Sequence, residues 1–215
     1  PDGMVSFSIG AGNDTARATL VQPDGKILVA GSSTSTGSTG ANIVVQRFNS
    51  DGTIDTTFGA DGNSDGSPDG VVSLDLGAGS DEARGIALQA DGKIVVAGTP
   101  TASDNSKNLV VARLLANGGL DTAGFGTDSG DDTPAGVVSV SLSNGDDVAN
   151  AVAIQHDGKI LVAGTANVGA NSNVAVARLN TDGTLDSTAF GLGQTDGSPD
   201  GVVTLSLGGG NEEAV

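Results

Sequence analysis

The sequence predicts an all-β protein made of β-propeller blades, each blade a sheet of four antiparallel strands. A unit of about 66 residues occurs three times within the 215 residues, and such a period is typical of repeat architectures whose units stack on one another. Each unit contains four short segments rich in Val, Ile and Leu, separated by turns rich in Gly, Asp and Asn. No segment combines a sustained helical period with capping residues, so essentially no helix is expected.

The repeat is clearest at a Gln-x-Asp-Gly-Lys turn and in the apolar segments that follow it in step. The chain is therefore interpreted as one repeat region over residues 1–215. Its parts are repeat 1 at 1–67, repeat 2 at 68–133, repeat 3 at 134–198 and a partial fourth repeat at 199–215. The Gln-x-Asp-Gly-Lys turn lies at 22–26, 89–93 and 155–159.

The four strands of a unit differ in the pattern of their side chains. The first, at 83–89, places small residues on one face, which suits a crowded position near a propeller axis. An Asp-Gly pair then predicts a two-residue hairpin turn, because Gly tolerates the positive φ that this turn needs. The second and third strands, at 93–98 and 109–114, are almost continuously apolar, which predicts burial on both faces. The fourth, at 71–76, alternates and predicts one solvent-exposed face.

This order describes a blade from the axis to the rim. A closed propeller needs at least about four blades, and the chain supplies three. Its opening residues align with its closing residues. We therefore expect three blades that are either a fragment of a longer propeller or array, or part of an oligomeric ring completed by other copies of the chain, with the spare strand exchanged between copies.

The composition limits the classes of partner. Nine basic residues against 26 acidic residues give a net charge of −17, so binding to nucleic acid or to an anionic membrane surface is not expected. No apolar stretch approaches the roughly 18 residues of a membrane span, and no signal peptide is present in the first residues. The absence of Cys rules out disulfides and thiolate metal sites. The acidic, Asp-, Asn-, Gly- and Thr-rich composition favours an extracellular or bacterial cell-surface location.

Three segments together resemble the delta-sixty repeat, a bacterial β-propeller family. They are QPDGKILVAG at 22–31, ARLNTDGTLD at 177–186 and GVV at 201–203, and their counterparts recur in the other units. The resemblance implies secreted or cell-surface proteins, often large and multidomain, without established catalytic residues. This chain departs from the usual repeat in a long Asp-rich stretch before the fourth strand.

That stretch contains a candidate calcium site with the pattern D-x-N-x-D-G-x-x-D. Its ligands are Asp61, Asn63, Asp65 and Asp69, since alternating oxygen ligands, a Gly at the bend and a closing carboxylate suit Ca²⁺. It resembles the loops of integrin-type propellers. The same residues also make an ordinary solvated turn. Of the aligned acids, the second repeat keeps only Asp131.

Charged residues also recur once per repeat. Arg47, Arg113 and Arg178 are each expected to pair with a repeated Asp and to tie strands together, and Asp55, Asp121 and Asp186 lie shortly after them. The alternative is a ring of Arg side chains that binds a ligand at a pore.

Nothing in the sequence indicates catalysis, and we expect no enzymatic activity. The single His, His156, lies in a hairpin turn, where a surface position is expected. Neighbouring acids such as Asp81 and Glu82 could serve a glycosidase, but a chain without Trp or Tyr has no aromatic platform for a sugar.

Two functions from different classes are consistent with these features. The first is a non-catalytic extracellular or cell-surface structural repeat, acting as a spacer, filament or surface-layer component together with neighbouring domains or copies of itself. The second is an adhesin-like propeller that recognises a glycan or a surface protein through its rim loops at 32–42, 99–108 and 165–173. Each of these loops could equally be a plain polar connection.

Overall fold

The computed structural model contains twelve strands within the residues it describes and no helix there. The described residues are 3–9, 12–34, 40–59, 70–77, 79–101, 107–126, 133–143, 145–168, 171–192 and 199–205. Within them, no helix is long and apolar enough to cross a membrane.

The strands form three sheets of four, and within each sheet every strand pairs antiparallel with the next one along the chain. The prediction of an all-β fold built from four-stranded blades is confirmed. The first blade holds β1 (Asp14–Val21), β2 (Ile27–Thr34), β3 (Ala41–Phe48) and β4 (Val71–Leu74). The second holds β5 (Glu82–Leu88), β6 (Ile94–Thr99), β7 (Leu109–Leu114) and β8 (Val137–Val140). The third holds β9 (Asp147–Ile154), β10 (Ile160–Val168), β11 (Asn171–Leu179) and β12 (Val202–Leu205).

The blades stack face to face, and the apolar cores lie between them. One cluster of buried side chains joins the first and second blades, and another joins the second and third. Every residue of β6 and β7 in the middle blade is buried, as their continuous apolar runs predict. The corresponding strands of the outer blades are only partly buried, because each has a neighbouring blade on one side only.

The hairpin between the first and second strands differs from the prediction. The N–H of Gln22 bonds the carbonyl of Lys26, and the N–H of Gly25 bonds the carbonyl of Gln22. The loop therefore has three residues, not two, with Gly25 at a φ of 85°. A turn followed by a left-handed Gly gives the strands the twist that they need, so the Gly was correctly identified but the loop length was wrong.

The fourth strand is shorter than predicted. β4 ends at Leu74, whereas the alternating pattern extends to Leu76. The N–H of Leu76 donates to Oδ2 of Asp81 at 2.7 Å, and the N–H of Leu142 donates to Asp147 at 2.6 Å. Each carboxylate takes a backbone N–H that would otherwise extend the sheet, so the strand stops.

Each first strand contains a β-bulge that the sequence pattern does not predict. The pairing register shifts across Arg17, Arg84 and Asn150, which places these residues outside the regular alternation of the strand. Opposite the bulge lies a Gly of the second strand. A Cβ on Gly31 would lie 1.8 Å from the carbonyl oxygen of Thr15, which explains why the repeated V-A-G segment ends in Gly.

Candidate functional site

Each blade carries a charged cluster made of one Lys, one Arg, one Asp and one Phe. In the second blade, Nε of Arg113 donates to Oδ2 of Asp121 at 2.8 Å, and Nζ of Lys93 lies 3.1 Å from the same oxygen. The guanidinium carbon of Arg113 lies 4.5 Å from the ring centre of Phe125, within the range of a cation–π contact. The same cluster occurs at Lys26, Arg47, Asp55 and Phe58, and at Lys159, Arg178, Asp186 and Phe190.

The predicted pairing of each repeated Arg with a repeated Asp is therefore confirmed. The Arg side chains of the first two blades are 9% and 4% exposed, so they lie inside the stack and do not line a pore. The Lys of each hairpin turn also contacts the paired Asp. This contact was not predicted from the sequence. The sequence signal for this contact was that the Lys recurs at the same position of every hairpin turn.

The cluster also joins one blade to the next. Nη1 of Arg47 donates to the carbonyl of Ala116 in the second blade at 2.6 Å, and Nη1 of Arg113 donates to the carbonyl of Thr181 in the third. Each acceptor lies in the tight turn that follows the third strand of the next blade. The guanidinium thus fixes the spacing between successive blades as well as the strands within its own blade.

The cations determine the ionisation of the repeated carboxylates. Burial alone would raise the pKa of Asp55, but hydrogen bonds from Lys26 and Thr57 and the charge of Arg47 hold that pKa well below its ordinary value. Burial also opposes ionisation of Asp121, and Lys93 with Arg113 lowers its pKa nevertheless. These groups are consequently ionised in the folded protein at neutral pH and act as structural anions.

A second acid in the second and third blades lies in a different environment. Asp81 is fully buried, and burial raises its pKa to about 6 in spite of hydrogen bonds from the backbone N–H groups of Leu76 and Thr101. Burial likewise raises the pKa of Asp147, against hydrogen bonds from Ser143 and Leu142. No cation is paired with either carboxylate in the described part of the chain, which explains why their shifts oppose those of the charged cluster.

The bulged residues of the first strands form a polar ladder between blades. Nε of Arg17 donates to Oε1 of Glu82 at 2.6 Å, and Nε of Arg84 donates to the other oxygen of that carboxylate at 3.0 Å. Nη1 of Arg84 also reaches Oδ1 of Asn150 at 3.3 Å. Side chains of all three blades are thereby connected across the stack, two of them from the second blade.

This ladder borders a cleft of about 360 Å³, which we name the inner-strand cleft. It lies at the base of the loops between the second and third strands, which are either rim loops for partner binding or plain polar connections in the sequence-based hypotheses. Hydroxyl groups and three charged side chains line it, which suits hydrogen bonding to a polar ligand. Its lining includes Thr15, Ser32, Thr34, Thr99, Thr101, Glu82, Arg84 and Lys107.

The predicted calcium ligands Asp61, Asn63, Asp65 and Asp69 lie outside the described residues, so the proposed site stays a prediction. Within the residues that are described, no group of three or more His, Cys, Asp and Glu side chains is arranged to hold a metal ion. His156 is exposed in its hairpin turn, as predicted.

Comparison with known families agrees with this architecture. Three segments of the chain, residues 22–58, 89–123 and 155–188, match the model of a β-propeller domain of unknown function, DUF5122. Each matched segment begins at the Gln of the hairpin turn and contains the Lys, the Arg and the Asp of one charged cluster. No curated protein matches the chain.

Proposed function

We propose that this chain, which carries three DUF5122 β-propeller repeats, is a non-catalytic structural module of an extracellular or cell-surface protein. It would act as a spacer, a filament element or a surface-layer component, in contact with neighbouring domains or with copies of itself. We further propose that the repeats are of the delta-sixty type, because the residues that carry this resemblance lie largely within the matched segments.

The observation that supports this proposal is the use of the recurring charges. Arg47 and Arg113 each bond a carboxylate of their own blade and a carbonyl of the next. Side chains that recur in every repeat are thereby engaged in holding strands and blades together. A binding or catalytic site would instead need polar groups that remain available to a ligand.

Location and cation binding belong to the same proposal. The net charge of −17 favours a soluble surface in contact with divalent cations. We propose that Asp61, Asn63, Asp65 and Asp69 bind Ca²⁺ and stiffen the loop before the fourth strand, as oxygen-rich loops do in extracellular modules. Nucleic acid binding and membrane insertion are not part of the proposed function.

The proposal is tested by stretching single molecules of the chain between two handles in an optical trap. A structural module should resist extension and unfold in steps that involve whole blades, and Arg113→Ala should lower the unfolding force. Extension without a force peak would contradict a structural role. A panel of chromogenic glycosidase and esterase substrates should show no turnover above buffer.

A second candidate function, glycan or protein recognition, is favoured by the inner-strand cleft. Its hydroxyl and charged groups lie at the base of the rim loops, on a rigid scaffold that positions them. Binding to a glycan array that is lost in Lys107→Ala and retained in His156→Ala would establish this function. Equal signals from both variants would place binding elsewhere.

A further inference from the structure

Successive blades meet through the same set of contacts, which we call the seam. Three contacts define it. The Arg of the charged cluster donates to a carbonyl in the next blade's turn. A Gly N–H after the cluster's Phe donates to a second carbonyl of that turn. A Val of the fourth strand lies against the Gly of the turn.

The two seams within the chain match contact for contact. In the first, Gly59 N–H donates to the carbonyl of Asn117 at 2.8 Å, and a Cβ on Gly118 would lie 3.0 Å from Cγ2 of Val72. In the second, Gly126 N–H donates to the carbonyl of Asp182 at 3.0 Å. A seam is therefore a reproducible interface with fixed donors on one side and fixed acceptors on the other.

The outward face of the third blade presents the donor side of another seam. Arg178, Gly191 and Val203 occupy the positions of the Arg, the Gly and the Val. Within the described residues, Nη1 of Arg178 has no carbonyl acceptor and neither does the N–H of Gly191. The Arg178 side chain is 17% exposed, more than its two counterparts, because no further blade covers it in the described part of the chain.

Apolar side chains on the same face are uncovered as well. Leu205 of β12 is 51% exposed, whereas its counterparts Leu74 and Val140 are 7% and 5% exposed. Ala151 and Ala153 of β9 are exposed, whereas the equivalent residues of β5 are buried. The face thus has the apolar centre that the other two seams bury.

The outward face of the first blade presents the acceptor side. Its turn places the carbonyls of Ser50 and Asp51 and the left-handed Gly52 where Ala116, Asn117 and Gly118 lie in the second blade. One part of this face is already covered from within the chain. A Cβ on Gly52 would lie 3.0 Å from Cγ2 of Val5, and Phe7 contacts Phe48 at 4.8 Å between ring centres.

Val5 therefore occupies on the first blade the position that Val72 occupies on the second. Residues 4–7 (Met-Val-Ser-Phe) align with Val202–Leu205 of β12, so Phe7 corresponds to Leu205. The N-terminal segment is not part of any sheet. It covers the acceptor face as the fourth strand of a preceding blade would.

We propose that the third blade of one molecule docks on the first blade of a second copy through a seam of this kind. β12 of the first molecule replaces residues 4–7 of the second, and Arg178 bonds the carbonyl of the second copy's Ser50. The interface is heterologous, so repetition builds a ring or a filament. This inference rests on the proposed structural function and identifies a second copy of the chain as the partner.

The net charge of the chain sets the expected salt dependence. Two copies that each carry −17 repel one another at low ionic strength. The seam itself consists of apolar contacts and hydrogen bonds to backbone carbonyls, which salt screens little. Added salt should therefore strengthen the association, because it screens the repulsion and leaves the seam intact.

A cysteine pair tests the register of the docking. At the second seam, a Cβ on Gly85 would lie 2.9 Å from the backbone N of Val152. The equivalent positions across the intermolecular seam are Ala151 and Thr19. Because the chain contains no Cys, Ala151→Cys and Thr19→Cys proteins can be mixed under mild oxidation, and a disulfide-linked heterodimer should form in excess of either homodimer.

Asn171→Cys, at the exposed first residue of β11 in the third blade, is the matched control in place of Ala151→Cys. Equal crosslinking of both variants to Thr19→Cys would overturn the proposed register. The structural function would stand in that case, since its test is the resistance of a single chain to extension.

Sedimentation velocity over a concentration series measures the association itself. The unmodified chain should associate, and Ala153→Arg should raise the dissociation constant at least about tenfold. Asn171→Arg adds the same charge on the same blade and should leave the constant unchanged. Phe7→Ser loosens the competing segment and should lower it. A chain that stays monomeric at all concentrations and salt levels, with or without Phe7→Ser, would overturn the proposal.

Discussion

Arg47 in the first blade donates a hydrogen bond from Nη1 to the carbonyl oxygen of Ala116 in the second blade, with 2.6 Å between the two atoms. The same guanidinium donates from Nε to Asp55 at 2.7 Å and lies 4.5 Å from the ring centre of Phe58. One side chain therefore holds the end of its own blade and the position of the next. The consequences for stability can be measured at the equivalent residues of the other blades.

Arg113→Ala is expected to lower the free energy of unfolding by about 3 kcal/mol, because removing one member of a buried pair leaves the other charge poorly compensated. Urea denaturation measures the loss. Arg178→Ala is the matched control, since that side chain is more exposed and makes no contact with a further blade in the described structure. This substitution should lower the free energy of unfolding by less than Arg113→Ala. Equal losses would mean that the contact between blades contributes nothing. Any ligand affinity of the remaining domain should be unchanged by Arg113→Ala.

Gly118→Ala should be more destabilising than Gly92→Ala. Both residues have positive φ, at 100° and 85°, so each substitution should cost about 1–2 kcal/mol in backbone strain. A Cβ at Gly118 would also lie 2.7 Å from the N of Gly59 across the seam, whereas the nearest atom to a Cβ at Gly92 is 3.9 Å away. The added clash should cost a further 1–3 kcal/mol, approximately. Thermal denaturation of the two variants under one condition gives the comparison, and similar melting temperatures would contradict the tight seam.

The pKa of about 6 for Asp81 makes the protein less stable as the pH rises. The folded state binds this proton more tightly than the unfolded state, so its contribution is present below the unfolded value of 3.8 and is lost as the pH passes about 6. The change is on the order of 3 kcal/mol. Asp81→Asn cannot titrate and should reduce this slope, leaving the part that comes from Asp147, whose pKa burial also raises. The slope is measured by urea denaturation at pH values from about 4 to 7, the range over which Asp81 titrates.

Asp157→Asn, in an exposed turn, is the control for the substitution at Asp81. The unmodified protein and this control should lose stability in parallel between those pH values. If Asp81→Asn shows the same slope as the control, the buried carboxyl is not the titrating group.

Asp121 contributes a pH dependence of the opposite sign. Its pKa is lowered in the folded state, so the unfolded chain binds the proton more tightly and stability is lost as the pH falls below the ordinary range of an Asp carboxyl. Asp121→Asn should flatten acid denaturation below about pH 4 while lowering stability at neutral pH. Circular dichroism during an acid titration checks both effects. Steeper acid unfolding of the variant would contradict the assignment.

Calcium should bind the Asp61–Asp69 loop and raise the melting temperature. From the ligand pattern we expect a dissociation constant on the order of 10⁻⁴–10⁻³ M, as in extracellular modules, measured by calorimetry. Asp65→Asn should abolish the heat, and Asp196→Asn, in the corresponding loop of the third repeat, should not. No heat, together with a melting temperature that a chelator leaves unchanged, would remove the calcium site from the proposed function.

Much of the fold follows from local patterns in the sequence. The repeat of about 66 residues specifies how many blades are present, and the apolar runs of β6 and β7 predict the strands and their burial on both faces. The pairing of Arg113 with Asp121 also follows, because two opposite charges that recur at a fixed spacing in every repeat lie near each other in every blade.

Only the tertiary structure determined what lies across the seam. The bond from Arg47 to Ala116 joins residues 69 positions apart, and a carbonyl acceptor leaves no signature in the residue type that carries it. The bulges at Arg17, Arg84 and Asn150 were missed because register shifts depend on the partner strand. β4 is two residues shorter than its alternating pattern, because Asp81 takes the N–H of Leu76. The sequence thus determined the blades and their repeated charges, whereas the contacts between blades depend on three-dimensional proximity that no local pattern encodes.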